Sequence, residues 1–116
     1  MRKKKIIIPI YPVNFTIIEF ETDDELQKMF NDVHFLQEIN SFNGGVFEYK
    51  EHLYVCFRKI NEDGKSYPTP GIIVHESKHL VNEVFNRVGA ELDLNNDEPE
   101  AYLLQWVFEE IETFFK

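Results

Sequence analysis

The chain has 116 residues, of which 43% are hydrophobic and 15% aromatic, and it carries a formal net charge of −9. This is the size of one domain, residues 1–116, with enough apolar material for a core, so disorder is excluded apart from the ends. The acidic balance excludes a domain-wide basic footprint, hence no nucleic acid partner, and no apolar run is long enough to span a membrane. The one basic run, Arg2–Lys5, reads as a solvated end. The apolar segment behind it is broken by Pro9 and Pro12 and is followed by no small-residue cleavage site, unlike a signal peptide. The single cysteine, Cys56, allows no internal disulfide and fits a reducing, cytoplasmic compartment. Its apolar strand context makes it a small sheet residue rather than a nucleophile.

In chain order, "KKIIIPIY" and "NFTIIEFE" are rich in Ile and Phe and read as strands, and the two prolines make the first an edge or irregular strand. "TDDELQKMFNDVHFL" reads as a helix capped by Thr22 or Asp23, with acids in its first turn and His34 as a structural residue near its end. "GGVFEYKEHLYVCFRKI" alternates apolar and polar positions and reads as a hairpin turning at Lys50-Glu51, without the favoured Asn-Gly chemistry. His52 lies near that turn, at an exposed position. "NEDGKSYPTPG" is a loop by composition. A helix then runs from about Gly71 to Val88, ended by Gly89. After the loop "AELDLNND", a second helix starts near Asp97 or Glu98, with Pro99 in its first turn, and runs to the C-terminus. The pattern is α+β, with a small mixed or mostly antiparallel sheet of about three to four strands.

The chemistry concentrates in "GIIVHESKHLVNE", residues 71–83. On a helix, His75 and His79 lie one turn apart on one face, so both imidazoles can reach a single ion. Imidazole is a preferred ligand of zinc (Zn2+), and Glu76, rotated by about 100° from His75, stands beside the ion rather than on it, where it can act as general base. The plain alternative is a surface helix bearing two solvated histidines. A catalytic zinc takes a third protein ligand and keeps a fourth position open. Asp93, Asp97, Glu98 and Glu100 are the candidates, and helical geometry leaves the choice between Glu98 and Glu100 open; any of them could equally be an acid favoured at a helix start.

The motif resembles the zincin metallopeptidases of the gluzincin type. More narrowly, "VHESKHLVNEVFNRVGAELDLNNDEPEAYLLQW" is similar to small zincin-like proteins of tailed phages and prophages, which carry His-Glu-x-x-His, an acidic or Asn-rich loop and Glu-Pro-x-Ala-Tyr-Leu. The resemblance covers about the last 45 residues. It implies His75, His79 and Glu98 as metal ligands, Glu76 as catalytic base, a zincin-like fold, a peptide or protein substrate and a host-cytoplasm location. Lys78 departs from the family, whose two positions between the glutamate and second histidine are usually uncharged, and the third-ligand signature of the larger gluzincins is absent. In zincins a strand beside the active-site helix holds substrate by pairing, and "HLYVCFRK" is the strand expected to do so. Tyr49, Tyr54 and Tyr102 could stabilise an oxyanion, but each reads first as an amphipathic core residue. The second functional reading is a non-catalytic acidic interaction protein of phage type, retaining the fold and binding a protein partner.

Overall fold

The computed structural model describes residues 1–31, 43–59, 61–62, 65–66 and 68–116. Two strands, β1 (Arg2–Ile7) and β2 (Asn14–Phe20), pair antiparallel with Arg2 opposite Glu19 and Ile7 opposite Asn14. The prolines lie in the connection between them, where Ile8 N–H donates to Val13 O at 3.3 Å and Val13 N–H to Tyr11 O at 2.8 Å. A proline there takes no donor from the ladder. A short helix, α1 (Asp23–Met29), follows, with the Thr22 hydroxyl accepting from Glu25 N–H at 3.3 Å. The helix stops earlier than expected, at Met29, with Phe30 as its C-cap and Asn31 in a turn; residues 32–36 of the predicted helix, His34 included, lie outside the described residues.

The hairpin forms as expected from β3 (Gly44–Tyr49) and β4 (His52–Arg58), with Tyr49 opposite His52. Lys50 and Glu51 make the two-residue turn with φ of 50° and 70°. Both residues occupy the left-handed region that Asn-Gly favours, reached here without that chemistry. β4 also pairs parallel with β2, so the sheet is mixed and runs in the order β1-β2-β4-β3. Two further strands, β5 (Asn61–Glu62) and β6 (Lys65–Ser66), form a separate antiparallel pair inside the stretch expected to be loop. The dipeptide between them in sequence is Asp63-Gly64, which is itself a hairpin signal.

The sheet order corrects one expectation. β4, the "HLYVCFRK" strand, lies inside the sheet between β2 and β3 and cannot accept a further strand. The strand at that margin is β3, which pairs on one side with β4 and has no strand on the other among the described residues.

Both faces of the central strands are buried, so β2 reads as a nearly continuous apolar run. Phe15, Ile17, Leu53, Val55 and Phe57 pack against two long helices, α2 (Pro70–Val88) and α3 (Glu98–Phe115). Those helices contribute Ile73, Leu80, Val81, Val84, Leu103, Val107 and Ile111. Ile18, Phe20 and Cys56 point to the other face, onto Leu26 of α1 and Phe30. The period of two along each strand thus splits one sheet between two cores.

α2 begins at a Thr69 cap, whose hydroxyl accepts from Ile72 N–H at 3.3 Å, with Pro70 at the first helical position. It ends at Gly89, where a φ of 73° and the Ala90 N–H to Phe85 O bond at 2.9 Å close the last turn. The helix is therefore fixed at both ends by local chemistry and along its length by an apolar face. Ser77, fully buried on that face, donates its hydroxyl proton to Ile73 O at 2.7 Å. Among the described residues no helix is long and apolar enough to cross a membrane.

Candidate metal centre

His75 and His79 stand on the solvent-facing crest of α2, between the β3 side and the α3 side of that helix. The His75 side chain is 67% exposed. The two Nε2 atoms are 3.2 Å apart, with ring planes at 77°. With metal–nitrogen bonds of about 2.05 Å, that separation corresponds to an N–metal–N angle of about 100°, near the tetrahedral value. The pair fits chelation of one ion with little movement. The same distance also suits one imidazole N–H donating to the other ring.

Glu76 projects from the same turn towards β3. Its side chain is 8% exposed, with Oε1 3.8 Å from His75 Nε2, and no hydrogen bond reaches the carboxyl among the described residues. Close approach depends on Gly44: a Cβ at that position would lie 3.0 Å from Glu76 Cγ and 3.4 Å from Cys56 O. Burial raises the Glu76 pKa above the ordinary carboxylate range, while the charges of His75 and His79 pull it back. A carboxyl placed this way is a better proton acceptor near neutral pH than a solvated one. Burial, with Glu76 adding to it, also pushes the Cys56 thiol well up, so that thiol stays protonated and is not a nucleophile.

Two cavities meet at this point. One, of about 450 Å³, is lined by Gly44, Gly45, Val46, His79, Asn82 and Glu83 together with His75 and Glu76. The other, of about 380 Å³, shares Gly44, His75 and Glu76 and extends past Asn43, Thr69 and Ile72. Together they form a cleft between the margin of β3 and α2 from its start to Glu83, with the His pair and Glu76 at its middle.

The acids downstream of the motif are placed differently. Glu98, the ligand implied by resemblance, is exposed at the first residue of α3. Glu100 faces α2, where it pairs with Lys78; the Lys78 Nζ also donates to Asn82 Oδ1 at 2.9 Å. Asp93 and Asp97 are exposed, and Asp93 accepts from Asn95 N–H at 2.9 Å. Among the described residues, no third His, Cys, Asp or Glu is gathered with His75 and His79 into a metal-binding group. Lys78, the charged departure from the motif, is turned towards α3 and neutralised there, so it does not oppose a cation at the His pair.

The tyrosines considered as oxyanion donors lie elsewhere. Tyr49 and Tyr54 pack around Phe30 on the opposite face of the sheet, at ring distances of 4.9 and 5.0 Å. Tyr102 is 67% exposed and borders a different cavity with Ile8 and Trp106. His52 is exposed at the start of β4. Sequence reasoning missed Gly44, Gly45 and Glu83 as residues of the cleft. Glu83 follows His79 by four residues, and the Gly-Gly pair at the start of a strand marks a close approach of backbone, so both signals were available. Compared with known proteins, the chain matches no family model, no curated protein and no solved structure.

Proposed function

We propose that the chain is a zinc-dependent hydrolase of peptide bonds with a small zincin-like fold, working in the cytoplasm, that of the host if it is phage-encoded. The observation that carries this reading is the convergence of the two Nε2 atoms at 3.2 Å beside a desolvated carboxyl in an open cleft. His75 and His79 would hold the ion, with an acid from the start of α3 as third ligand. The resemblance favours Glu98 for that place, and Glu100 is the acid that faces α2. When bound, zinc acidifies a water and polarises the scissile carbonyl. Glu76 would take a proton from the attacking water and return it to the departing amide nitrogen, so that the water's hydroxyl ends on the carboxylic acid and its hydrogen on the amine. The margin of β3 aligns an extended substrate by strand pairing, with Gly44 and Gly45 leaving the backbone accessible. Replacing Glu76 with Gln is expected to abolish hydrolysis of a casein or peptide substrate while zinc stays bound; normal hydrolysis by that variant would refute the role.

One observation favours the second reading, a non-catalytic acidic protein of phage type that binds a protein partner. Glu98 is exposed and Glu100 is held by Lys78, so among the described residues no third ligand stands beside the His pair. In this reading zinc would be structural or absent, with no open position for water.

A further inference from the structure

We propose that the cleft selects a cationic side chain, Lys or Arg, at the substrate position lying over Asn82 and Glu83. For the reaction this rests on the hydrolase reading above, but for binding it stands by itself. The cleft runs to either side of the His pair, and its two ends differ. Towards Thr69 and Ile72 the lining is neutral. Beyond His79 it ends at Asn82 and Glu83, and among the described residues no Lys or Arg lines either part.

Glu83 is half-buried and lines the wall, yet it has no ion pair among the described residues. The two cations nearest in sequence are committed elsewhere. Lys78 is bound to Glu100 and Asn82 on the α3 side. Arg87, one turn beyond Glu83, reaches across to Glu48 of β3 at 3.3 Å. Glu76, deeply buried and accepting no hydrogen bond among the described residues, is aimed into the same cavity. Metal set aside, Glu76 and Glu83 have no Lys or Arg partner among the described residues; Glu83 stands one turn beyond His79, and in a chain of net charge −9 it leaves that end of the cleft with a negative potential that an anionic or neutral occupant does not match. An extended strand laid along the β3 margin alternates its side chains in direction, so every second one is turned to the wall that Asn82 and Glu83 form.

The test uses the full chain with Glu76→Gln, which separates binding from turnover. Extended hexapeptides of Ala, Val and Thr, carrying a single Lys, norleucine or Glu at each position in turn, are titrated and followed by amide chemical shifts. The proposal expects the best-placed Lys peptide to bind about fivefold more tightly than its norleucine counterpart. Shifts should centre on Gly44–Val46 and Asn82–Glu83. Adding Glu83→Gln should bring the two peptides within about twofold, and adding Glu83→Lys should favour the Glu peptide. Absence of binding, a Lys preference that survives Glu83→Gln, or shifts confined to another surface would each overturn it. Glu83-dependent binding of Lys peptides that the wild-type chain never cleaves would uphold this inference and defeat the hydrolase reading. Cleavage without any Glu83-dependent preference would do the reverse.

Discussion

Replacing Gly44 with Ala should expose the contact that positions Glu76. The added Cβ would sit 3.0 Å from Glu76 Cγ, tighter than an ordinary carbon–carbon contact, so Glu76 must give by a few tenths of an ångström. Glu76 is buried, and forcing its χ angles off their minima costs about 0.5–1.5 kcal/mol. Opposing this, Gly44 has no positive φ, so alanine fits the backbone and restricts the unfolded chain, a gain of about 0.4–1 kcal/mol. The single variant should therefore be close to neutral or destabilised by up to about 1 kcal/mol. In a Glu76→Ala background the Cγ is gone, and the same Gly44 change should stabilise by about 0.4–1 kcal/mol. A double-mutant cycle by urea denaturation reads the difference as a coupling of about 0.5–1.5 kcal/mol. A coupling indistinguishable from zero, with Gly44→Ala stabilising equally in both backgrounds, would refute the claim that this glycine holds the Glu76 side chain in place.

Three further expectations follow from the same coordinates. Lys50→Asn with Glu51→Gly should raise stability by about 1 kcal/mol in urea denaturation, because both positions have positive φ; loss of the Lys50 contact over the Tyr49 ring, 5.2 Å from its centroid, offsets part of the gain. For the metal-free chain, the raised Glu76 pKa means that the folded state holds its proton to higher pH than the unfolded state. Stability should therefore fall as pH rises from the ordinary carboxylate range through the folded value, and Glu76→Gln should remove that part of the decline; denaturation between about pH 4 and about pH 8 checks the sign. Lys78→Ala should destabilise by about 1 kcal/mol, discounted for a lysine that is 40% exposed, by leaving Glu100 unpaired, and the loss should shrink at high salt.

Much of the fold was legible because local chemistry and periodicity agree. Gly89 at the end of α2 and Pro99 at the start of α3 set boundaries that the structure keeps. The alternation of Leu53, Val55 and Phe57 gave a buried face correctly. The order of strands was not legible. Nothing in "HLYVCFRK" says that β2, with α1 and β3 between them in the chain, will pair with it in parallel, since such pairing depends on long-range packing of Ile17 and Ile18 against both cores. For that reason the sheet margin beside α2 is β3 and not β4. At the site, the i, i+4 spacing fixed the His pair, which rests on geometry within one helix. The α3 acids were not fixed, because the face that α3 turns to α2 depends on packing. The structure turns Glu100 inward and leaves Glu98 in solvent. Pairing of Lys78 with Glu100 likewise needs two elements at once.

The most direct test of the central claim is zinc content by elemental mass spectrometry, on protein purified without an affinity metal column. Wild type is measured beside His75→Ala, Glu98→Ala and Glu100→Ala. The account predicts about one zinc per chain, lost on replacing His75 and lost or weakened at least tenfold on replacing one of the two glutamates. No bound zinc in the wild type, even after reconstitution, would contradict it and leave His75 and His79 as a hydrogen-bonded pair on an ordinary helix.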